Sequence, residues 1–420
     1  VIDQGSSSIT ERGFLYSETP DVTLATARKQ IVKTTEDIFS ATLNNLAEKT
    51  DYYVAAYAIN GRGTAYSEVV KFTTGDATTV TAPTNVIYVS VAGNDANDGS
   101  SWSKAKKTIK AALEQATDKK QIWVSVGNYD EKITLKSGVP IYGGFKGTET
   151  TTETRTERTK IIAIWGECSS ETIVDGFEIG SKEETITLKG NVILENCHIK
   201  ECGSDAYVTM STQGENKLNN CIIEECRASR GRSIYFSIGG NLSMTNCLLQ
   251  GNKHFYIQVY GAMSMYNCVI ANSAAPLNWN TPNPSNPFII AKNSNTAINL
   301  YNCTLVSNEE IFKCYNEGVK NINLYNCLYW NNAPISEDVT QYSCIVVDNA
   351  DNSRVKLKRP STTRGPEASD WQIADWSIQA GSSCIDAGIS LLFPSDKIKI
   401  DLAGNERIAG NSIDVGAYEY

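Results

Sequence analysis

The sequence predicts an all-β chain: a parallel β-helix preceded by a small, partial β-sandwich. Three observations carry that prediction. An Asn-Cys pair recurs at Asn196-Cys197, Asn220-Cys221, Asn246-Cys247, Asn267-Cys268, Asn302-Cys303 and Asn326-Cys327, with Asn-to-Asn spacings of 24, 26, 21, 35 and 24 residues. Every copy has an apolar residue two before the Asn (Leu194, Leu218, Met244, Met265, Leu300, Leu324) and another two after the Cys (Ile199, Ile223, Leu249, Ile270, Leu305, Tyr329). Residues 1–75 show no such repeat, only alternating strand patterns such as Tyr53 to Asn60 followed by the turn Gly61-Arg62-Gly63.

A period of this length marks a solenoid, in which each repeat buries its apolar side only by stacking on its neighbours. Period-2 patterning on both sides of a polar corner means two short strands joined by a tight bend. Asn suits the bend because it tolerates left-handed backbone and bonds to neighbouring peptide groups. Equivalent asparagines then lie about 4.8 Å apart and can form a ladder. Three short strands and three bends fit one turn. A leucine-rich horseshoe has a similar period, but its Leu consensus and helix are missing. The crossover rule makes the coil right-handed. An earlier frame, Ile173 to Ile179 around Asp175-Gly176, falls at the same corner.

The net charge of −9 and pI near 5.1 argue against nucleic acid as a partner. No apolar run approaches the ~18 residues of a membrane span, and no signal peptide is present. Because Val1 already lies in strand-like sequence, the chain is expected to extend upstream, with any export signal and membrane anchor outside it. Six of the 12 cysteines occupy the repeat position; Cys202 and Cys226 follow it by five, where later coils carry Asn252, Asn308 and Asn332. They read either as small thiols lining the stacked interior or as disulfides between coils. Paired CxxC clusters are absent, which speaks against metal.

In chain order, residues 1–75 form the first β domain, residues 76–84 a linker, and residues 85–420 the β-helix. A helical stretch over 103–118, with Ala105, Ile109, Ala112, Leu113 and Ala116 on one face, is expected to cap the solenoid's start. A second cap is expected over about 380–420.

Leu46 to Tyr52 has the spacing of a tyrosine corner, and the stretch from Ile9 to Thr74 resembles the fibronectin-type-III-like modules on secreted and surface proteins of Bacteroidetes. Its first strand and much of its second have no counterpart here. Ile87-Tyr88-Val89-Ser90 with Gly93-Asn94-Asp95 and Ser101-Trp102 resembles the opening of bacterial pectin-lyase-like β-helix proteins. The end, with Ser383-Cys384-Ile385-Asp386, Asp401 to Arg407 and Ile413 to Tyr420, is similar to the C-terminal cap of the same group, often described by a choice-of-anchor domain. The resemblance implies a pectin-lyase-like right-handed β-helix and an extracellular or cell-surface location. It implies no reaction.

Candidate binding residues lie where the repeat carries unusual side chains. Arg232, Tyr235, Lys253, His254, Tyr256, Gln258, Lys313 and Tyr315 precede the corner, and alternation turns Tyr235, Tyr256 and Gln258 outward. A stripe of rings and cations suits a polysaccharide, and one with uronate groups in particular; a solvated β face is the competing reading. Trp279, in the Pro/Asn-rich surplus of the 35-residue interval, can stack on a sugar or pack its own loop. Tyr266, Tyr301 and Tyr325 form a further outward ladder. For catalysis, Asp205 with Glu224 and Glu225 is the nearest approach to paired carboxylates, and Arg232, Lys253 or His254 are the candidate lyase bases. Asp95 and Asp98 can either ligate Ca²⁺ or form a side-chain-bonded turn; otherwise no cofactor is implied. The favoured expectation is a secreted or surface glycan-binding protein, monomeric, taking a polysaccharide or glycoprotein glycan. The alternatives are a lyase or hydrolase of acidic glycans and a structural adhesin.

Overall fold

The computed structural model describes residues 9–32, 41, 43, 46, 47, 49–75, 84–117, 120–152, 155, 157–180, 184–201, 208–212, 214–226, 234–253, 255–274, 289–309, 311–314, 321–364, 370–394 and 399–420. The chain divides into two units between Thr81 and Ala82. In the first unit, strands Arg28–Ile31, Ile9–Ser17, Asp51–Asn60 and Gly63–Tyr66 lie side by side and antiparallel, and Val70–Thr73 also pairs with Asp51–Asn60. Leu15, Val22, Ala55 and Tyr57 form its core. The hydroxyl of buried Tyr52 accepts from the Ala47 amide at 3.0 Å and donates to Glu18 at 3.2 Å.

The second unit is a parallel β-helix. Three sheets run along it, each strand pairing in parallel with its equivalent one coil on. The first sheet contains Val208–Thr212, Ile234–Ile238, Phe255–Val259, Ile289–Ala291 and Phe312–Cys314. The second contains Glu215–Asn219, Asn241–Thr245, Ala262–Tyr266, Ala297–Tyr301, Ile322–Tyr325 and Val339–Tyr342. The third contains Phe177–Ile179, His198–Lys200, Ile222–Glu224, Leu248–Gln250, Val269–Ala271, Thr304–Val306, Leu328–Trp330 and Ile345–Val347. Upstream, Thr159–Asp175 runs through all three sheets in a single strand.

The repeat Asn occupies the bend between the second and third sheets. Asn196, Asn220, Asn246, Asn267, Asn302 and Asn326 all have φ between 51° and 53°, and Gly176 takes the position in the earlier coil at φ 80°. The next residue, Cys, points inward: each repeat thiol donates to a backbone carbonyl of the preceding coil, from Cys197 to Val174 O (3.3 Å) through Cys327 to Leu300 O (3.4 Å). Every described cysteine is a free thiol. Five residues after the repeat Asn, a second left-handed bend recurs at Glu201, Glu225, Gly251, Asn272, Ser307 and Asn331. Behind it runs a buried amide ladder, in which Asn308 N and Nδ2 both donate to Asn332 Oδ1 at 2.8 and 3.0 Å.

Two expectations need correction. The cap helix is Ile109–Gln115, not 103–118. The Asp95 carboxylate binds the amides of Lys107 and Thr108, and Lys106 pairs with Tyr88 and Ser90 in extended backbone, so the helix cannot begin earlier. It presses Ile109, Ala112 and Leu113 into the core. The C-terminal segment does not merely close the far end: its described residues from Asn352 onward lie along the flank. Val355, Leu357, Trp376, Ile378, Cys384, Val415 and Ala417 pack on the outer face of the third sheet, against Val269, Ala271, Val306, Leu328 and Trp330. These strands are therefore buried on both faces, and the segment acts as a strap.

Candidate functional site

The strap divides the third sheet's outer face. In register, the outward positions read Lys160, Glu178, His198, Ile222, Leu248 and then Val269, with Lys200, Glu224, Gln250 and Ala271 in the parallel column. The polar early rungs are open. Val269 and Ala271 are fully buried beneath the strap.

His198 is the centre of the open half. Its Nε2 lies 2.9 Å from Glu224 Oε1, and its Nδ1 lies 3.9 Å from Glu178 Oε2. Glu178 Oε1 also receives Lys160 Nζ at 3.1 Å and Lys200 Nζ at 3.2 Å, while Gln250 Nε2 donates to the other Glu224 oxygen at 2.9 Å. Burial pushes both carboxyls up, but the lysines hold Glu178, and His198 and Gln250 hold Glu224, below the ordinary carboxylate range. Each is thus an anion with its oxygens already engaged. A depression of about 230 Å³ opens beside them, lined by Asn128, Asp130, Lys160, Glu178, Lys200 and Glu201 among others.

A general acid needs a carboxyl held protonated near neutral pH; Glu178 and Glu224 are held the other way. The pair closest to that description stands on the second sheet, where Asp175 and Glu195 are in register on adjacent strands. Burial and the Asp175 charge push Glu195 up. Arg155 fills the space there, its Nη2 2.6 Å from Asp175 and its guanidinium over Tyr142 and Phe145. That cluster fastens Arg155 to the body.

Of the residues selected from sequence, Arg232, His254, Trp279 and Tyr315, together with Asp205, lie outside the described residues. Tyr235 and Tyr256 occupy the same register position in successive coils of the first sheet. In the next outward column stand Gln258, Ile290 and Lys313. Gln258 turns away from the core as expected, yet it is only 7% exposed, as is Ile290; the open stripe therefore does not continue through this position. Lys313 is exposed, and the Lys253 backbone forms an isolated parallel bridge to Ala274. Asp95 is committed to the cap helix, with Asp98 Oδ1 accepting from the Ser100 amide. Among the described residues no cluster of His, Cys, Asp or Glu is arranged to hold a metal.

Tyr266, Tyr301, Tyr325 and Tyr342 stack in parallel at centroid distances of 5.2, 4.6 and 4.8 Å. Stacked rings spend their faces on each other, so among these four only the end rings, Tyr266 and Tyr342, have a face that no other ring of the stack covers. Sequence reasoning singled out Glu224 as a carboxylate but missed the face it shares with His198. Outward Lys160, Glu178, His198 and Glu224 fall on strands whose later counterparts, Val269 and Leu328, are apolar, a contrast that becomes readable once those later residues are known to be covered.

Residues 147–275 match the family model described as "Right handed beta helix region", and the fold is a right-handed parallel β-helix. A solved structure titled rhamnogalacturonan lyase is similar with a TM-score of 0.38 and 10% identity, covering 69% of this chain and 96% of the other. No curated protein matches the sequence.

Proposed function

We propose that this chain is a glycan-binding β-helix protein that lays a neutral, hydroxyl-rich polysaccharide along the open half of its third sheet. One observation carries the reading: the strap leaves a flat polar face beginning at Lys160, with successive rungs about 4.8 Å apart, a repeat comparable to the span of a sugar residue. Its ion pairs are pre-formed and its side chains are held by neighbours, so hydroxyl groups meet ordered donors and acceptors at little entropic cost. Asp130, Glu178, Glu201 and Glu224 outnumber Lys160 and Lys200 there, which disfavours uronates on this face and revises the acidic-glycan preference. The engaged carboxylates favour binding over hydrolysis. On this reading the first unit is a fibronectin-III-like spacer and the protein works outside the cell, where such polymers are met.

Affinity electrophoresis in gels containing β-1,4-mannan, β-1,3-glucan, polygalacturonate or alginate tests this. Retardation by a neutral polymer, lost in His198→Ala and Lys200→Ala, is expected. Retardation by uronates alone, or loss only in Tyr235→Ala and Tyr256→Ala, would move the site to the first sheet.

A further inference from the structure

The open face does not run on to the end of the solenoid; it stops against the strap. Where it stops there is a cleft of about 400 Å³, lined by Asn220, Ile222, Asn246, Leu248, the loop from Ile400 to Gly404, and Tyr418. Its floor is the half-buried apolar pair Ile222 and Leu248, which follow His198 in the same outward column. Beyond them the next rung, Val269, is fully covered, so nothing on this face can pass further. On the opposite margin Gln372 of the strap donates to Glu225 at 2.8 Å, closing that side as well.

The cleft coincides with a gap in the asparagine ladder. Asn196 donates to Asp175 (2.9 Å), Asn220 to Asn196 (3.3 Å) and Asn267 to Asn246 (3.2 Å). Among the described residues no hydrogen bond joins Asn246 to Asn220. Both residues line the cleft, and among the described residues the Asn246 side-chain NH2 and the Asn220 Oδ1 make no hydrogen bond. Asp401 cannot compete for a ligand, because its oxygens accept from the amides of Asn405 (2.7 Å) and Glu419 (2.9 Å). What remains is an apolar floor, an uncharged donor and acceptor from the two asparagines, and a blocked exit. A pyranose has the matching chemistry: a face of C–H bonds and a rim of neutral hydroxyls.

We propose that this cleft is a terminal subsite, which takes the end residue of a neutral glycan chain whose following residues lie back along the His198 face. The assignment rests on the groove reading above and adds to it that the protein recognises chain ends. A chain-end binder holds a fixed number of protein molecules per chain whatever the chain length, whereas a mid-chain binder loads more protein as chains lengthen.

The test uses the full chain with β-1,4-mannan, β-1,4-glucan and β-1,3-glucan fractions of short and roughly tenfold greater length, titrated calorimetrically. The stoichiometry per chain is expected to be unchanged between lengths. Leu402→Trp, which fills the cleft from the half-buried loop, is expected to weaken binding at least tenfold. Asn220→Ala, on an exposed bend, is expected to weaken it severalfold, with melting temperatures confirming that both variants fold. Stoichiometry that rises with length, or binding indifferent to Leu402→Trp, overturns the terminal subsite while leaving the groove intact. Absence of binding by every fraction overturns the groove reading and the subsite with it.

Discussion

The two halves of the third sheet are built from one repeat yet live in different surroundings. In the early rungs the repeat amides bond along the stack, from Asn220 to Asn196 to Asp175, and the outer face carries Lys, Glu and His in water. In the late rungs the amides turn sideways to the strap. Asn267 donates to Ile400 O (2.7 Å) as well as to Asn246, Asn302 donates to Asp414 O (3.1 Å), and Asn326 both donates to Ile389 O (3.1 Å) and accepts from Ile389 N (2.8 Å). The sideways bonds leave Asn267 Oδ1 and Asn302 Oδ1 buried without a partner. The strap thus gains apolar area and backbone partners at the cost of part of the ladder. A repeat position has two stable uses, and the outward residues decide between them.

Loosening the strap without touching the coil should have the largest effect. Trp371 is 1% exposed and its indole packs over Gly251, where an added Cβ would lie 2.5 Å from Trp371 Cε2. Gly251 also holds φ +57°, which a side chain strains further. Trp371→Ala is expected to destabilise the strap by about 3–5 kcal/mol, and Gly251→Ala should act in the same direction. Limited proteolysis should cut first near the strap while the coil up to Gln250 stays protected. Simultaneous loss of both regions would mean that strap and solenoid form one cooperative unit.

A smaller effect sharpens the contrast at the ladder itself. Asn220 and Asn326 share the same left-handed backbone, φ 53° and 52°, so the strain of replacing either by Ala, about 1 kcal/mol, cancels between the two variants. Asn326→Ala additionally orphans the Ile389 amide and carbonyl, and should cost about 1–3 kcal/mol more. Denaturant titration measures the difference. Equal costs would show that Ile389 finds other partners.

Much of the coil was legible in the sequence because the Asn-Cys frame reports two local demands, a left-handed bend and an inward small residue, that each rung meets by itself. The strap was not legible. Asn352 to Tyr420 has no repeat, and its contacts join residues more than a hundred positions apart, such as Asn302 with Asp414 and Ala417 with Thr304. For the same reason the open face went unread: Lys160 and Glu178 stand out only once it is known that Val269 and Leu328 are covered. The cap helix was legible in type but not extent, since the Asp95 side chain that fixes its start comes from outside it.

The two halves should also respond to acidity with opposite sign. Under the strap, burial raises Glu419 to about 8, with the Asp414 and Asp401 charges adding to burial and Arg407, 3.2 Å away, opposing them. Burial likewise raises Asp414. A carboxyl raised on folding contributes stability that is complete below its ordinary value of 4.5 and is lost as pH rises through about 8. On the open face Glu178 and Glu224 are lowered, so their contribution is present above 4.5 and is lost as pH falls below it. Amide exchange, corrected for intrinsic rates and compared at pH 5.5, 7 and 8.5, should therefore show protection of residues 401–420 falling with rising pH while residues 176–200 hold theirs. Glu419→Gln removes the titration but keeps the side chain's shape, and should flatten the response of the strap alone. Protection that rises with pH in the strap would mean that Arg407 outweighs burial there, and the covered half would then be an ion-paired seam like the open one.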